Sequence, residues 1–146
     1  MGLLTKITQS RVLVFLCLIL SIGVFSCSSD LEEKLIGTWQ GSDFLFHKTE
    51  GPDLVLTING GLEQHLRSKL IFAEDGAYQK FVGEYANGNG VWLVDKDLLF
   101  TKAENDFEQV YKLVQVTDTK LVTRHKVTLE TPDGDLVGEI TLTYTR

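Results

Sequence analysis

The chain has 146 residues, 43% of them hydrophobic, with 20 acidic against 14 basic side chains and a formal charge of −6. That balance speaks against a phosphate-backbone partner, which needs clustered Lys and Arg, so no nucleic acid is expected. The length fits one domain, and two cysteines, Cys17 and Cys27, are too few for a disulfide scaffold.

In chain order the first element is a leader. Lys6 and Arg11 precede the apolar run Val12 to Ile22, and Val24-Phe25-Ser26-Cys27 follows it. A charged start, an apolar stretch of secretory length and a small residue before the cut describe a signal peptide. With cysteine at the cut, the run resembles the lipobox of bacterial lipoproteins, whose thiol is diacylated before a dedicated peptidase cleaves in front of it. Val24 and Phe25 stand where leucine and a small or hydroxyl residue are usual; Ser26 and Cys27 fit. Two other readings are a transmembrane anchor and an ordinary secretory cut near Ser26. Val12 to Phe25 is 14 residues, short of the roughly 20 needed to cross the hydrocarbon core.

The resemblance implies a signal peptide over 1–26, lipidation (palmitate-type acylation) at Cys27 and a tether over 27–30. Removal of the leader takes Lys6 and Arg11 and no acid, so the charge becomes −8 on 120 residues. An acidic chain has no polybasic hold on anionic lipid, so the membrane partner is engaged through acyl chains. Each buried CH₂ contributes ~0.8 kcal/mol, which makes two or three chains an effectively permanent anchor. Ser28-Ser29-Asp30-Leu31-Glu32-Glu33 looks like the acidic export signals of some Gram-negative surface lipoproteins, or is a solvated tether with acids in a helix's first turn. No Asp directly follows Cys27, which by the lipoprotein sorting rule favours the outer membrane of the cell envelope.

Leu31 to Ile36 reads as one or two helical turns, with Ser29 or Asp30 as cap and Gly37 as stop. Everything beyond reads as strands. Turn signals recur at Glu74-Asp75-Gly76, Asn87-Gly88-Asn89-Gly90, Asp95-Lys96-Asp97, Glu104-Asn105-Asp106, Thr117-Asp118-Thr119 and Pro132-Asp133-Gly134. The apolar runs between them leave no room for crossover helices, so neighbouring strands pair antiparallel. Eight or nine such strands close into a barrel or fold into a sandwich.

Alternation assigns the faces. The first strand, Thr38 to Phe46, needs a bulge near Gly41-Ser42 for Trp39 and Phe44 both to face inward. Leu54, Leu56 and Ile58 form the second strand's inner row, and Leu66, Ser68, Leu70 and Phe72 the third's. In Ala77 to Tyr85, the charges of Lys80 and Glu84 send Tyr78 and Val82 outward with them, which leaves Gln79, Phe81 and Tyr85 inside. Phe107, Gln109, Tyr111, Leu113 and Gln115 face inward by the same test. So do Leu121, Thr123, His125, Val127 and Leu129, and finally Leu136, Gly138, Ile140, Leu142 and Tyr144.

Leu35-Ile36-Gly37-Thr38-Trp39 places a Gly-x-Trp at the start of the first strand, after a short helix and before a meander. That arrangement resembles the lipocalin-like barrels of the calycin group. Leu70 to Tyr78, Gly90-Val91-Trp92-Leu93-Val94, and Tyr111-Lys112-Leu113 leading to Thr119-Lys120-Leu121 are similar to short lipocalin-like domains of bacterial lipoproteins. The resemblance covers residues 31–146 and implies an all-β, antiparallel up-and-down barrel of about eight strands, with Trp39 closing one end. It also implies a basic side chain over that tryptophan; Arg146 matches by position, and Arg124 is a second candidate that alternation points outward.

Signatures of catalysis are missing: no Gly-x-Ser-x-Gly, no His-Glu-x-x-His and no cysteine pair. His47, His65 and His125 are far apart with no metal-ligand spacing. No enzyme, cofactor or metal is expected. Ser68, Gln79, Gln109, Gln115, Thr123 and His125 fall on the expected inner face, where each needs a hydrogen bond, a water or a ligand. Two readings follow: a wet cavity for a small apolar or amphipathic ligand, lined by Phe72, Gln79, Phe81, Tyr85, Trp92, Tyr111 and His125, or a filled barrel whose polar groups are satisfied near its ends. A filled barrel would act as an interaction module for an envelope protein partner, with the irregular stretch Lys48 to Gly61 as its surface. A third reading puts a hydrolase at the barrel mouth, centred on His125.

Overall fold

The computed structural model describes residues 29–53, 55–104 and 107–146. Cys27, the leader and the start of the tether lie outside them. Helix α1 (Ser29–Leu35) carries Asp30 and Glu32 in its first turn and Lys34 in its last, which complements the helix dipole. Lys34 donates to Asp30 one turn back at 2.8 Å. Gly37, at φ +126°, turns the chain into strand β1 (Gly37–Glu50). Helix α2 (Val55–Leu66) follows. Then come β2 (Ser68–Phe72), β3 (Ala77–Val82), β4 (Tyr85–Asp95), β5 (Leu98–Ala103), β6 (Gln109–Val116), β7 (Lys120–Leu129) and β8 (Leu136–Thr145).

The eight strands close into an antiparallel barrel in sequence order, with β8 returning to β1. The expected fold is the observed one. The β1–β8 ladder runs from Gln40↔Thr145 to Glu50↔Val137 and shifts register between Gly41 and Asp43. This is the bulge that the parity of Trp39 and Phe44 demands, and it brings the bulky side chains on both sides of it to the interior.

Four readings need correction. The Leu54-Leu56-Ile58 row is not a strand: residues 55–66 are helical, and Leu54 lies outside the described residues. The chain must cross the barrel mouth between β1 and β2, and 12 helical residues cover roughly 18 Å while satisfying their own backbone. Gly60 and Gly61, loop formers by propensity, belong to this helix. A Cβ at Gly61 would stand 3.4 Å from the Phe44 ring. Leu66, expected in a strand's inner row, ends α2 and is exposed.

The second correction concerns β3. Tyr78 is buried and Lys80 and Val82 share its face, while Gln79 is exposed. Phe81 lies on the outer side, where the Lys69 ammonium sits 4.5 Å from its ring centroid. Lys69 and Phe81 are directly opposite each other in the β2–β3 ladder, so this exterior pair gives the aromatic ring cover that the core does not. Tyr85 is 75% exposed at the start of β4.

Third, Asn87 to Gly90 is part of β4, not a turn. The hairpin turns at Gly83-Glu84 instead, with Gly83 at φ +64°, and the β3–β4 register slips between Lys80↔Gly88 and Phe81↔Ala86. Gly90 is needed for close approach: a Cβ there would fall 1.9 Å from the Lys102 carbonyl oxygen. Fourth, a register shift between Leu113 and Gln115 turns Gln115 out to solvent and brings Val116 against the core. Phe107 and Gln109 keep the expected parity but lie at the rim and are exposed.

The core fills the α1 end. Leu35, Trp39, Phe72, Leu99 and Leu121 are essentially inaccessible, with Trp92, Val94 and Leu113 packed among them. The indole N–H of Trp39 donates to the Leu35 carbonyl at 2.8 Å, capping α1, and that of Trp92 donates to Ala73 at 3.0 Å. The Arg146 guanidinium lies 4.3 Å from the Trp39 ring centroid. It also donates to the carbonyls of Ile36 (2.7 Å), Lys34 (3.2 Å) and Asp118. Arg146 is therefore the basic residue over the tryptophan, and Arg124 instead faces Glu139 at 3.3 Å.

Candidate functional site

The other half of the barrel is hollow. Beneath α2 lies a cavity of about 260 Å³, walled by Phe44, Val82, Ile140 and Leu142 among others. Deeper, towards Leu70, Phe72 and Leu99, a gap of about 30 Å³ has room for a water molecule. A third space of about 130 Å³ opens past Gly88, Ala103, Phe107 and Gln109. Lys80 and Tyr111 line all three, so the spaces meet around these two side chains.

Helix α2 is fixed as the roof of the cavity by its C-terminal turn. His65 is buried there and makes a bond of 2.8 Å between Nε2 and the Thr143 carbonyl, in which the ring nitrogen must be the donor. Its ring meets Tyr144 edge-on at 4.7 Å and Phe44 at 6.3 Å. Ser68 Oγ donates to the His65 carbonyl at 2.7 Å, and Gln40 reaches the Leu66 carbonyl at 3.0 Å. Gly41 permits this docking, since a Cβ there would fall 1.9 Å from the His65 carbonyl oxygen.

The electrostatics inside differ from those outside. The chain is acidic overall, yet among the described residues no acidic side chain lines the three spaces. Lys80 is half-buried and, among the described residues, has no acid within ion-pair distance. His125 stands beside Tyr111, ring centroids 4.9 Å apart, and its Nδ1 is buried with no hydrogen-bond partner among the described residues. Burial, and secondarily the charge of Lys80, lowers the His125 pKa. Burial also lowers that of His65, opposed by its bonds to backbone and by Asp43. Both rings are thus held towards the neutral form. Burial raises the Tyr144 hydroxyl well above the ordinary tyrosine value, so it stays a neutral donor. Thr123 Oγ1, in the deeper gap, is buried and also lacks a partner among the described residues.

Of the residues expected to line a ligand site, Tyr111 and His125 do so, and Phe72 forms the floor of the deeper gap. Trp92 belongs to the packed core, where it meets Phe72 edge-on at 5.2 Å. Gln79, Phe81 and Tyr85 are on the exterior, for the reason given for β3. Sequence reasoning missed Lys80 and gave Thr101 and His65 no part in the lining. The signal for Lys80 was available in the hairpin: Ser68, Leu70 and Phe72 face inward, and their cross-strand partners are Val82, Lys80 and Tyr78. Directly opposed residues share a face.

No protein-family model matches the chain, and no curated protein matches it.

Proposed function

We propose that this chain is a lipid-anchored protein of the bacterial cell envelope, with a calycin-like barrel that binds a small apolar or amphipathic molecule and does not transform it. The observation that carries the binding is the half-empty interior, where Thr123 Oγ1 and His125 Nδ1 are buried without partners beside Lys80. A buried polar atom left unpaired costs about 1–3 kcal/mol, so a barrel that keeps two of them beside a cavity gains by taking up a molecule that pairs them. The main cavity sets apolar walls (Phe44, Val82, Ile140, Leu142) against converging polar groups (Gln64, Ser68, Lys80, His125), a lining that suits a partly polar molecule. Support for the anchor comes from the run ending at Cys27. Helix α1 begins two residues later, so acyl chains on Cys27 hold the Trp39 end at the bilayer and leave the α2 end facing away from it.

Native mass spectrometry of protein isolated from its own cells tests both parts. The expected spectrum shows a diacylated or triacylated N-terminal cysteine and a bound small molecule. An unmodified sulfur at the mature start removes the anchor; a barrel that comes through empty and gains no thermal stability from any small amphiphile removes the ligand.

A second reading, an interaction module, draws on the exterior. Leu93, Phe100 and Val110 stand in one cross-strand row on the outer face of β4, β5 and β6, and Leu93 and Val110 are exposed. In-cell crosslinking that captures one stoichiometric partner favours it over a carrier.

A further inference from the structure

We infer that the molecule taken up is an organic monoanion, a carboxylate head seated on Lys80 with an apolar body lying along Val82, Ile140 and Leu142. This rests on the cavity being a ligand site and adds the chemistry of the ligand. The first ground is the charge. An ammonium carried on a strand's inner face, half-buried and with no acid in ion-pair distance among the described residues, offers the cavity an unmatched positive charge. The protein supplies no counter-charge among the described residues, although it has an excess of acids to spend.

The second ground is the company Lys80 keeps. Thr123, 2% exposed, lines the gap next to it and His125 the main cavity, and the Thr123 hydroxyl and the His125 Nδ1 are buried without a partner among the described residues. A hydroxyl, a neutral imidazole and one ammonium make a short set of donors around a single anionic group. The histidines add no second cation, because burial keeps both towards neutrality. One cation suits one negative charge. A phosphate monoester carries about −1.5 to −2 at neutral pH and would leave charge unmatched, so a carboxylate fits better. Size limits the body: about 260 Å³ is below the range of roughly 300–1,000 Å³ that holds drug-sized ligands.

The test is a calorimetric titration of the purified full-length protein in nanodiscs, blanked against empty nanodiscs, with four probes sharing one tail: octanoate, octanol, octylammonium and octyl phosphate. Octanoate is expected to bind about tenfold or more tighter than octanol, a difference of about 1.4 kcal/mol or more, with octyl phosphate weaker than octanoate and octylammonium not bound. Lys80→Met is expected to remove the preference for octanoate over octanol. Octanol binding as tightly as octanoate, or octylammonium binding tightest, overturns the anion and leaves the cavity reading intact. Octyl phosphate binding tightest overturns the carboxylate. Failure of all four to bind overturns both this inference and the cavity reading. The ranking on the unaltered protein decides the matter even if Lys80→Met does not fold.

Discussion

At the Trp39 end of the barrel, the two indole N–H groups donate to backbone carbonyls, and the Arg146 guanidinium reaches three more while lying on the Trp39 ring. At the α2 end, Thr123 Oγ1 and His125 Nδ1 have no partner among the described residues and Lys80 faces no acid there. The same eight strands run through both ends, so the difference lies in the side chains alone. Large apolar residues and satisfied polar groups make a plug whose work is stability. Unsatisfied polar groups and an unpaired cation among the apolar walls border a space whose cost the plug must offset. Substitutions at the two ends should therefore act on different observables.

The largest effect is expected from Trp39→Ala. It removes a fully buried indole, its bond to Leu35 and the surface on which Arg146 lies. Aromatic-to-alanine changes in cores cost about 3–5 kcal/mol, a large share of the roughly 5–15 kcal/mol that holds a domain together. Urea unfolding should show a midpoint lowered to match. A loss below about 1 kcal/mol would mean that Trp39 does not hold this end closed.

Arg146→Ala comes next. Three carbonyl bonds and the cation–π contact are lost, but the side chain is exposed, so about 1–2 kcal/mol is expected. Arg146→Lys should recover only part of it, because an ammonium cannot reach several carbonyls in the plane of a fork. Gly37 belongs to the same clamp: a Cβ there would lie 2.8 Å from Arg146 Nη1. An Arg146→Lys variant as stable as the unaltered protein, measured by urea unfolding, would show that the fork geometry contributes nothing.

The difference between the ends also explains what the sequence made legible. The plug is written in residues with one natural place: Gly-x-Trp after a capped helix, Leu70 and Phe72 in alternation, and a bulge forced by the parity of Trp39 and Phe44. The cavity is written in residues that break the rule used to find faces. Lys80 and Glu84 were taken as markers of solvent, and that assignment turned the whole strand around, sending Gln79 and Phe81 inward on paper. Period-two alternation gives partners on a face but never which face is buried. Cross-strand pairing with Ser68, Leu70 and Phe72 was the independent information that would have settled it. Helix α2 was hidden for another reason. Thr57, Ile58 and the Gly60-Gly61 pair carry strand and loop propensities, and docking against β1 and His65's bond to Thr143 override them.

At the hollow end the sign should reverse. Lys80→Met replaces an unpaired ammonium by an apolar chain of similar length, so the ligand-free barrel should gain stability, on the order of 1 kcal/mol. A rise in Tm with lost preference for octanoate is the expected pair of results. A fall in Tm would mean that Lys80 supports the fold, and the contrast between the ends would not hold for it.

The smallest effect is the most specific to the hollow end, and it concerns pH. Burial lowers the pKa of both His65 and His125 below the ordinary value near 6.5, and the charge of Lys80 adds to this in each case. At pH values just below 6.5 the unfolded chain therefore binds more protons than the folded one, and stability falls as pH falls through that window. It is fully present above the ordinary histidine value. Thermal unfolding between pH 7.5 and about 5 should show the decline, and His125→Gln should flatten it. Lys80→Met should raise the His125 pKa in an NMR titration, because it removes a cation, and shift His65 less, where Lys80 is the weakest of five influences. Octanoate bound on Lys80 should move His125 in the same upward direction. A His125 titration that ignores both Lys80→Met and octanoate would separate the two side chains electrostatically, and with them the single anion site they are argued to form.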